Sequence, residues 1–92
     1  MVSLLARRLF RLNDRLARLA EDERLAAAEL EVHRHLDDDA RRDAAVSDSP
    51  VDREDARDTA ADVARFGRLL AGFQEKRKRL EAKRDGLLAR LG

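Results

Sequence analysis

The residues best suited to chemistry lie in one short run, where two histidines are surrounded by carboxylates. Three pairs are spaced four residues apart: His33 with Asp37, His35 with Asp39, and Glu31 with His35. Residues at this spacing share a helix face, so each pair offers two ligands of kinds that transition metals accept. A complete site would need further ligands from a second chain. We therefore expect a solvated acidic face with two ordinary histidines, and we predict no metal site and no other cofactor.

Nucleophilic side chains are few. Ser3, Ser47 and Ser49 stand where helix caps or a turn are expected, Thr59 lies inside a helical pattern, and the sequence has no cysteine. A nucleophile needs a positioned base to activate it, and a phosphate site needs a glycine-rich loop; the sequence assembles neither. We predict that the protein is not an enzyme and has no catalytic residues.

The composition indicates long helices rather than an enclosed pocket. Of the 92 residues, 42% are charged and 3% are aromatic, and the formal net charge is +1. Such a chain supplies little material for a thick core. The lack of cysteine fits a reducing compartment, and no apolar run approaches the roughly 20 residues needed to span a bilayer. A cytoplasmic location is therefore expected.

One turn-rich cluster, Ser47 to Asp52, divides the chain nearly in half and contains its single proline. Ser49 before Pro50 suits a helix N-cap followed by proline at the first helical position. Ser3 is a second plausible N-cap. We predict helix one over about residues 3–46, a turn at 47–49, and helix two over about residues 50–90.

Helix two carries a sustained heptad pattern. Apolar residues and two arginines recur at steps of about 3.5 residues, which predicts packing along another helix. The positions are Ala56, Ala60, Val63, Phe66, Leu70, Phe73, Arg77, Leu80, Arg84, Leu87 and Leu91.

Helix one repeats the same spacing, which makes it the natural partner. Its positions are Leu5, Leu9, Leu12, Leu16, Leu19, Glu23, Ala26, Leu30, His33, Asp37, Ala40 and Ala44. If the chain folds back at the turn, facing residues have numbers that sum to about 100. This register places Glu23 opposite Arg77, so the acid and the base that interrupt the two leucine seams should pair.

The predicted fold is all-α, an antiparallel two-helix coiled-coil hairpin that forms a single domain over residues 1–92. A hairpin of this size buries few apolar side chains against the conformational entropy of ordering its residues. We therefore expect it to dimerise into a four-helix bundle.

Three apolar residues of helix one, Leu25, Val32 and Leu36, lie away from the stripe defined by Leu5 to Leu19. A three-residue shift of register near Glu21 to Arg24 would bring them onto helix two. Otherwise they form a second apolar face that contacts another subunit. The sequence leaves both explanations open, and we predict a partner-binding role for these three residues.

The charges are unevenly distributed, because residues 1–20 and 63–92 are net positive and residues 21–62 are net negative. A hairpin brings the two basic segments together, and association of copies in opposite directions is then electrostatically favoured. The basic end also includes Arg15 and Arg18. A possible nucleic-acid contact is assigned to Arg7, Arg8, Arg11, Lys76, Lys78, Arg79 and Lys83.

Taken together, these patterns predict a non-enzymatic interaction or scaffold protein that binds a second copy of itself, another protein, or both. The alternative is a nucleic-acid-binding accessory protein that uses the basic end formed by both termini. No membrane span is expected.

Overall fold

The structure is a computed structural model that describes residues 3–47 and 49–91. Within these residues there is no strand, and two helices account for nearly all of the chain: α1 spans Leu4–Ser47 and α2 spans Pro50–Leu91. The two helices pack against each other, so the predicted all-α hairpin is confirmed. Of the predicted turn, Asp48 lies outside the described residues.

Both helices begin at the predicted serine caps. The Ser3 Oγ accepts a hydrogen bond from the backbone N–H of Ala6 at 3.1 Å, and the Ser49 Oγ accepts one from the backbone N–H of Asp52 at 3.1 Å. Each cap satisfies a backbone donor that has no partner within the first turn of its helix. Pro50 is the first residue of α2, where its missing N–H costs no hydrogen bond.

Contacts between the helices fall into two compact units. The terminal unit contains the described residues through Arg24 and from Ala71 onward, and the turn unit contains the described residues of Leu25–Leu70. In the turn unit, the contacted position on α2 moves back from Phe66 to Thr59 as the α1 position advances from His33 to Asp37. In the terminal unit, Leu12 lines a groove with Leu87, whereas Glu23, later in α1, contacts Arg77, earlier in α2. The helices are therefore antiparallel in both.

The terminal unit has a leucine core that the heptad positions supply. Leu9, Leu12 and Leu19 of α1 pack with Leu80 and Leu87 of α2, and Leu5, Leu16 and Phe73 pack partly against this cluster. Among the described residues, no side chain is less than 2% exposed. The core is thus shallow, as the composition indicated.

The seam of α1 keeps one register. Buried or half-buried residues recur at steps of four and three from Leu5 to Ala44, at the positions predicted from the sequence. The structure therefore has no register shift near Glu21 to Arg24, which was one of the two explanations that the sequence left open. The physical reason is that the polar seam residues His33 and Asp37 have contacts of their own on α2, with Phe66 and Thr59.

The seam of α2 corrects the sequence prediction at two positions. Ala60 is exposed, and Thr59 occupies the seam instead, so the steps of four and three continue without a break from Ala56 to Leu87. Thr59 is retained inside because its hydroxyl reaches the carboxylate of Asp37. Leu91 is exposed as well, since it is the last residue of α2 and Leu87 completes the core at that end.

Candidate functional site

An apolar stripe lies on the exposed side of α1 in the turn unit. Leu25, Val32 and Leu36 are 50%, 53% and 49% exposed, and their spacings of seven and four residues put them on one helix face. Residues at the seam beside them, Ala26 and Leu30, are buried. Because the seam is filled without the stripe, these three side chains are left uncovered by the described part of α2.

An acidic groove adjoins one end of the stripe, within the same unit. Its walls come from both helices, and its lining residues are Leu36, Asp39, Ala40, Asp43, Asp52, Asp55, Asp58 and Thr59. Asp39 pairs with Arg42 at 2.7 Å. In contrast, Asp43, Asp55 and Asp58 form no ion pair with any residue in the described ranges. The groove therefore carries negative charge that the described residues do not neutralise.

Asp52 is held ionised by two serine hydroxyls at the turn. The Ser47 Oγ donates a hydrogen bond to the Asp52 carboxylate, and the Ser49 side chain also stabilises its charge. These interactions, that with Ser47 first, lower the pKa of Asp52 below its ordinary value, because they stabilise the charged form. A carboxylate at the first turn of a helix also faces the positive end of the helix dipole.

A basic groove lies between the helices in the terminal unit. It is lined by Arg8, Arg11 and Arg15 of α1 and Lys83 of α2, with Leu12 and Leu87 at its base. A neighbouring groove adds Arg18 and Lys76, with Asp22 as its one acidic lining residue. Within residues 3–47 and 49–91, none of these six cations forms an ion pair. The described part of the chain thus leaves this positive charge uncompensated as well.

The structure brings together part of the predicted nucleic-acid contact. Arg8, Arg11 and Lys83 line the basic groove and Lys76 lines its neighbour. Arg7, Lys78 and Arg79 are exposed but line neither groove. Arg15, which the sequence analysis placed in the basic end without a contact role, lines both.

Arg77 and Glu23 form the ion pair that the register predicted, inside the terminal unit. The Arg77 Nε donates to the Glu23 Oε2 at 2.8 Å and to Oε1 at 3.0 Å, and the Arg77 Nη1 donates to the Glu81 Oε1 at 2.6 Å. These contacts, that with Glu23 first, raise the pKa of Arg77. The guanidinium is therefore held at the seam by carboxylates of both helices.

Asp37 and Thr59 form a second polar contact across the helices, which the sequence analysis missed. Asp37 is 8% exposed, and its Oδ1 accepts a hydrogen bond from the Thr59 Oγ1 at 3.0 Å. Its Oδ2 lies 3.2 Å from the Arg41 Nε. The sequence does contain a signal for this pair. Extending the alternation of steps of four and three back from Val63 leads to Thr59.

His33 sits in the seam of the turn unit between two carboxylates. Its ring stacks on Phe66 at 4.6 Å, its Nε2 lies 3.7 Å from Glu29 and its Nδ1 lies 3.8 Å from Asp62. Nδ1 is buried and has no hydrogen-bond partner in the described chain. The two carboxylates approach opposite ring nitrogens and do not converge on one point.

The pair Glu31 and His35, considered above as metal ligands, is found at 3.2 Å on the surface. Among the residues that the structure describes, no three His, Asp or Glu side chains are grouped so that they could hold a metal ion.

Comparisons with family models, curated proteins and solved structures find no significant match to this chain. Neither helix, over its described length, is long and apolar enough to cross a membrane.

Proposed function

We propose that the protein is a non-enzymatic interaction protein, a scaffold that assembles through α1, and that a second copy of the chain covers the stripe of Leu25, Val32 and Leu36. The observation that carries this proposal is the stripe itself. Three large apolar side chains on one face remain half-exposed although the seam beneath them is complete. Aligned apolar residues at helical spacing are typical of helix-to-helix association.

The free energy gained by covering the stripe supports a symmetric dimer, in which both copies contribute. Burying a Leu or Val side chain fully stabilises by about 1.5–3 kcal/mol, so covering three half-exposed ones contributes roughly 3 kcal/mol per copy. A symmetric dimer doubles this to about 6 kcal/mol, which is comparable to the lower part of the estimated cost of association, about 4–15 kcal/mol. The stripe alone therefore gives weak association, and a further contact between the copies is needed.

The test compares two triple variants by sedimentation equilibrium. In the first, Leu25→Gln, Val32→Gln and Leu36→Gln remove the stripe. In the control, three exposed apolar residues that do not share its face are replaced: Phe10→Gln, Val51→Gln and Leu88→Gln. We expect the stripe variant to be monomeric where the unchanged chain and the control are dimeric. Equal association of all three, with helix content confirmed by circular dichroism, would contradict the proposal.

A second candidate function is nucleic-acid binding through the basic groove. It is favoured by one observation, that Arg8, Arg11, Arg15 and Lys83 line a single groove without ion-pair partners in the described chain. Phosphates bound there would release counterions, so the affinity should fall steeply with salt.

The matched test of this candidate uses two variants with equal loss of charge. Arg8→Gln, Arg11→Gln and Lys83→Gln alter the groove, whereas Arg7→Gln, Lys78→Gln and Arg79→Gln alter exposed cations outside it. Retention of a duplex DNA or RNA probe at low salt should fall in the first variant only. No retention by the unchanged chain would eliminate this candidate.

A further inference from the structure

We propose that the basic groove of the terminal unit, lined by Arg8, Arg11, Arg15 and Lys83, is the docking site for the acidic groove of a second copy of this chain. The inference rests on the proposed self-association and specifies which surfaces meet. It supplies the further contact that the stripe requires.

The basic groove has the composition of one half of an interface. Its cations surround Leu12 and Leu87, which are 4% and 8% exposed and form an apolar base. Placing Arg11, Arg15 and Lys83 around one groove without a counter-charge from the described chain is unfavourable, because like charges repel at short range. A ligand that brings carboxylates into this groove relieves the repulsion.

The acidic groove of the turn unit has the complementary composition. Asp43, Asp55 and Asp58 have no ion-pair partner in the part of the chain that the structure describes. Asp52, in the same groove, carries a lowered pKa and stays ionised at neutral pH. Ala40 and Leu36 provide the apolar part of its wall.

Leu36 belongs both to the stripe and to the wall of the acidic groove. A partner that is seated in the acidic groove therefore reaches one end of the stripe. The apolar and the charged contributions then act at one continuous surface of the turn unit.

A second copy fits this pair of grooves better than a nucleic acid does. A polyanion would match the basic groove alone, because the acidic groove carries Asp43, Asp55 and Asp58. A second copy carries both charge signs, so each groove can meet its opposite. Complementary potentials of this kind favour one orientation of association and disfavour the contacts between like grooves.

The experiment exchanges the charges of each groove separately. The basic-groove swap is Arg11→Glu with Lys83→Glu, and the acidic-groove swap is Asp55→Lys with Asp58→Lys. When either swapped chain associates with itself, its exchanged residues face charges of the same sign. We therefore expect the dissociation constant for self-association to rise by about tenfold or more. An equimolar mixture of the two swapped chains restores opposite charges and should recover the affinity of the unchanged chain.

Matched controls change the same number of charges away from both grooves: Arg7→Glu with Lys78→Glu, and Glu54→Lys with Glu75→Lys. These should associate like the unchanged chain. A single chain that carries all four groove substitutions should again self-associate, which separates a charge effect from failure to fold.

Sedimentation with one fluorescently labelled component distinguishes the outcomes. If the mixture and the four-substitution chain stay as weak as the separate swaps, the docking proposal is overturned. It is also overturned if the swaps associate as tightly as the unchanged chain, while loss of association in the stripe variant would then leave the proposed function standing. If the stripe variant associates normally, the proposed function is wrong as well.

Discussion

The Arg77 guanidinium donates through Nε to both carboxylate oxygens of Glu23, at 2.8 and 3.0 Å, across the two helices of the terminal unit. Both residues occupy seam positions otherwise filled by leucine. An ion pair in an apolar seam contributes less to stability than to fixing which residues face each other. We therefore expect the pair to fix the register in which α1 and α2 pack in the terminal unit.

This role predicts opposite effects of single and double replacement. Glu23→Leu alone should lower the midpoint of thermal unfolding, because it leaves the Arg77 guanidinium without its partner on α1. Glu23→Leu together with Arg77→Leu should raise the midpoint above that of the single variant and of the unchanged chain. Calorimetry of the three proteins checks this, and a double variant less stable than the single one would refute it.

Thr59 should contribute more to the free energy of unfolding than its neighbour Ala60. Thr59→Val keeps the shape of the side chain but removes the hydrogen bond to Asp37, so we expect a loss of about 1 kcal/mol in the free energy of unfolding. Ala60→Ser places a hydroxyl at the exposed neighbouring position and should change it by less than about 0.5 kcal/mol. Urea denaturation measures both. If the two effects were reversed, the corrected seam of α2 would be wrong.

Ser49 should stabilise the start of α2. Replacing it with Ala removes the hydrogen bond to the backbone N–H of Asp52 and should cost about 1 kcal/mol of unfolding free energy. Ser49→Asn, which keeps a capping oxygen, should recover most of that loss. Equal stability of the Ala variant and the unchanged chain in urea denaturation would contradict the capping role.

The turn predicts a pH effect at Asp52. Because its folded pKa is lowered, the carboxylate contributes stability that is present above its unfolded pKa, about 3.9, and is lost as the pH falls through the lower folded value. Ser47→Ala removes the first cause of the shift and should move the pKa of Asp52 upward. A carbon-detected NMR titration of the Asp52 carboxyl checks this directly, and an unchanged pKa in the variant would exclude the Ser47 contribution.

Replacing His33 with leucine should stabilise the protein. Its buried Nδ1 has no hydrogen-bond partner in the described chain, so the folded state bears the desolvation of that atom. His33→Leu retains an apolar seam residue against Phe66 and should raise the free energy of unfolding by about 1 kcal/mol. A loss of stability in denaturation would mean that the contacts with Glu29 and Asp62 outweigh the desolvation.

Much of the hairpin could be predicted from sequence because its signals are local. Ser49 before Pro50 marks the start of α2. The leucine repeats define the two seams, which begin at Leu5 on α1 and end at Leu87 on α2. The sequence pattern favours Ala60 over Thr59, because alanine is apolar and a step of three is acceptable in a heptad. The hydroxyl of Thr59 is accommodated in the seam only because Asp37 faces it, and this contact depends on how the two helices pack.

The candidate surfaces were less predictable, for a related reason. His33 and Asp37 are poor seam residues by type, whereas Val32 and Leu36 beside them are good ones, so the apolar pattern favoured two registers at once. The contacts of His33 with Phe66 and of Asp37 with Thr59 decide between them. Likewise, the basic segments were evident in the sequence, but the sharing of one groove by Arg11, Arg15 and Lys83 depends on how the helices pack.

The most direct test of the central claim, association of two copies through the stripe and the opposite grooves, is sedimentation equilibrium of the unchanged chain over a range of concentration and salt. We expect the mass to rise from that of one chain to that of two as concentration increases, with weaker association at high salt because the groove charges are screened. A single-chain mass at every concentration, in low salt as in high, would contradict the account.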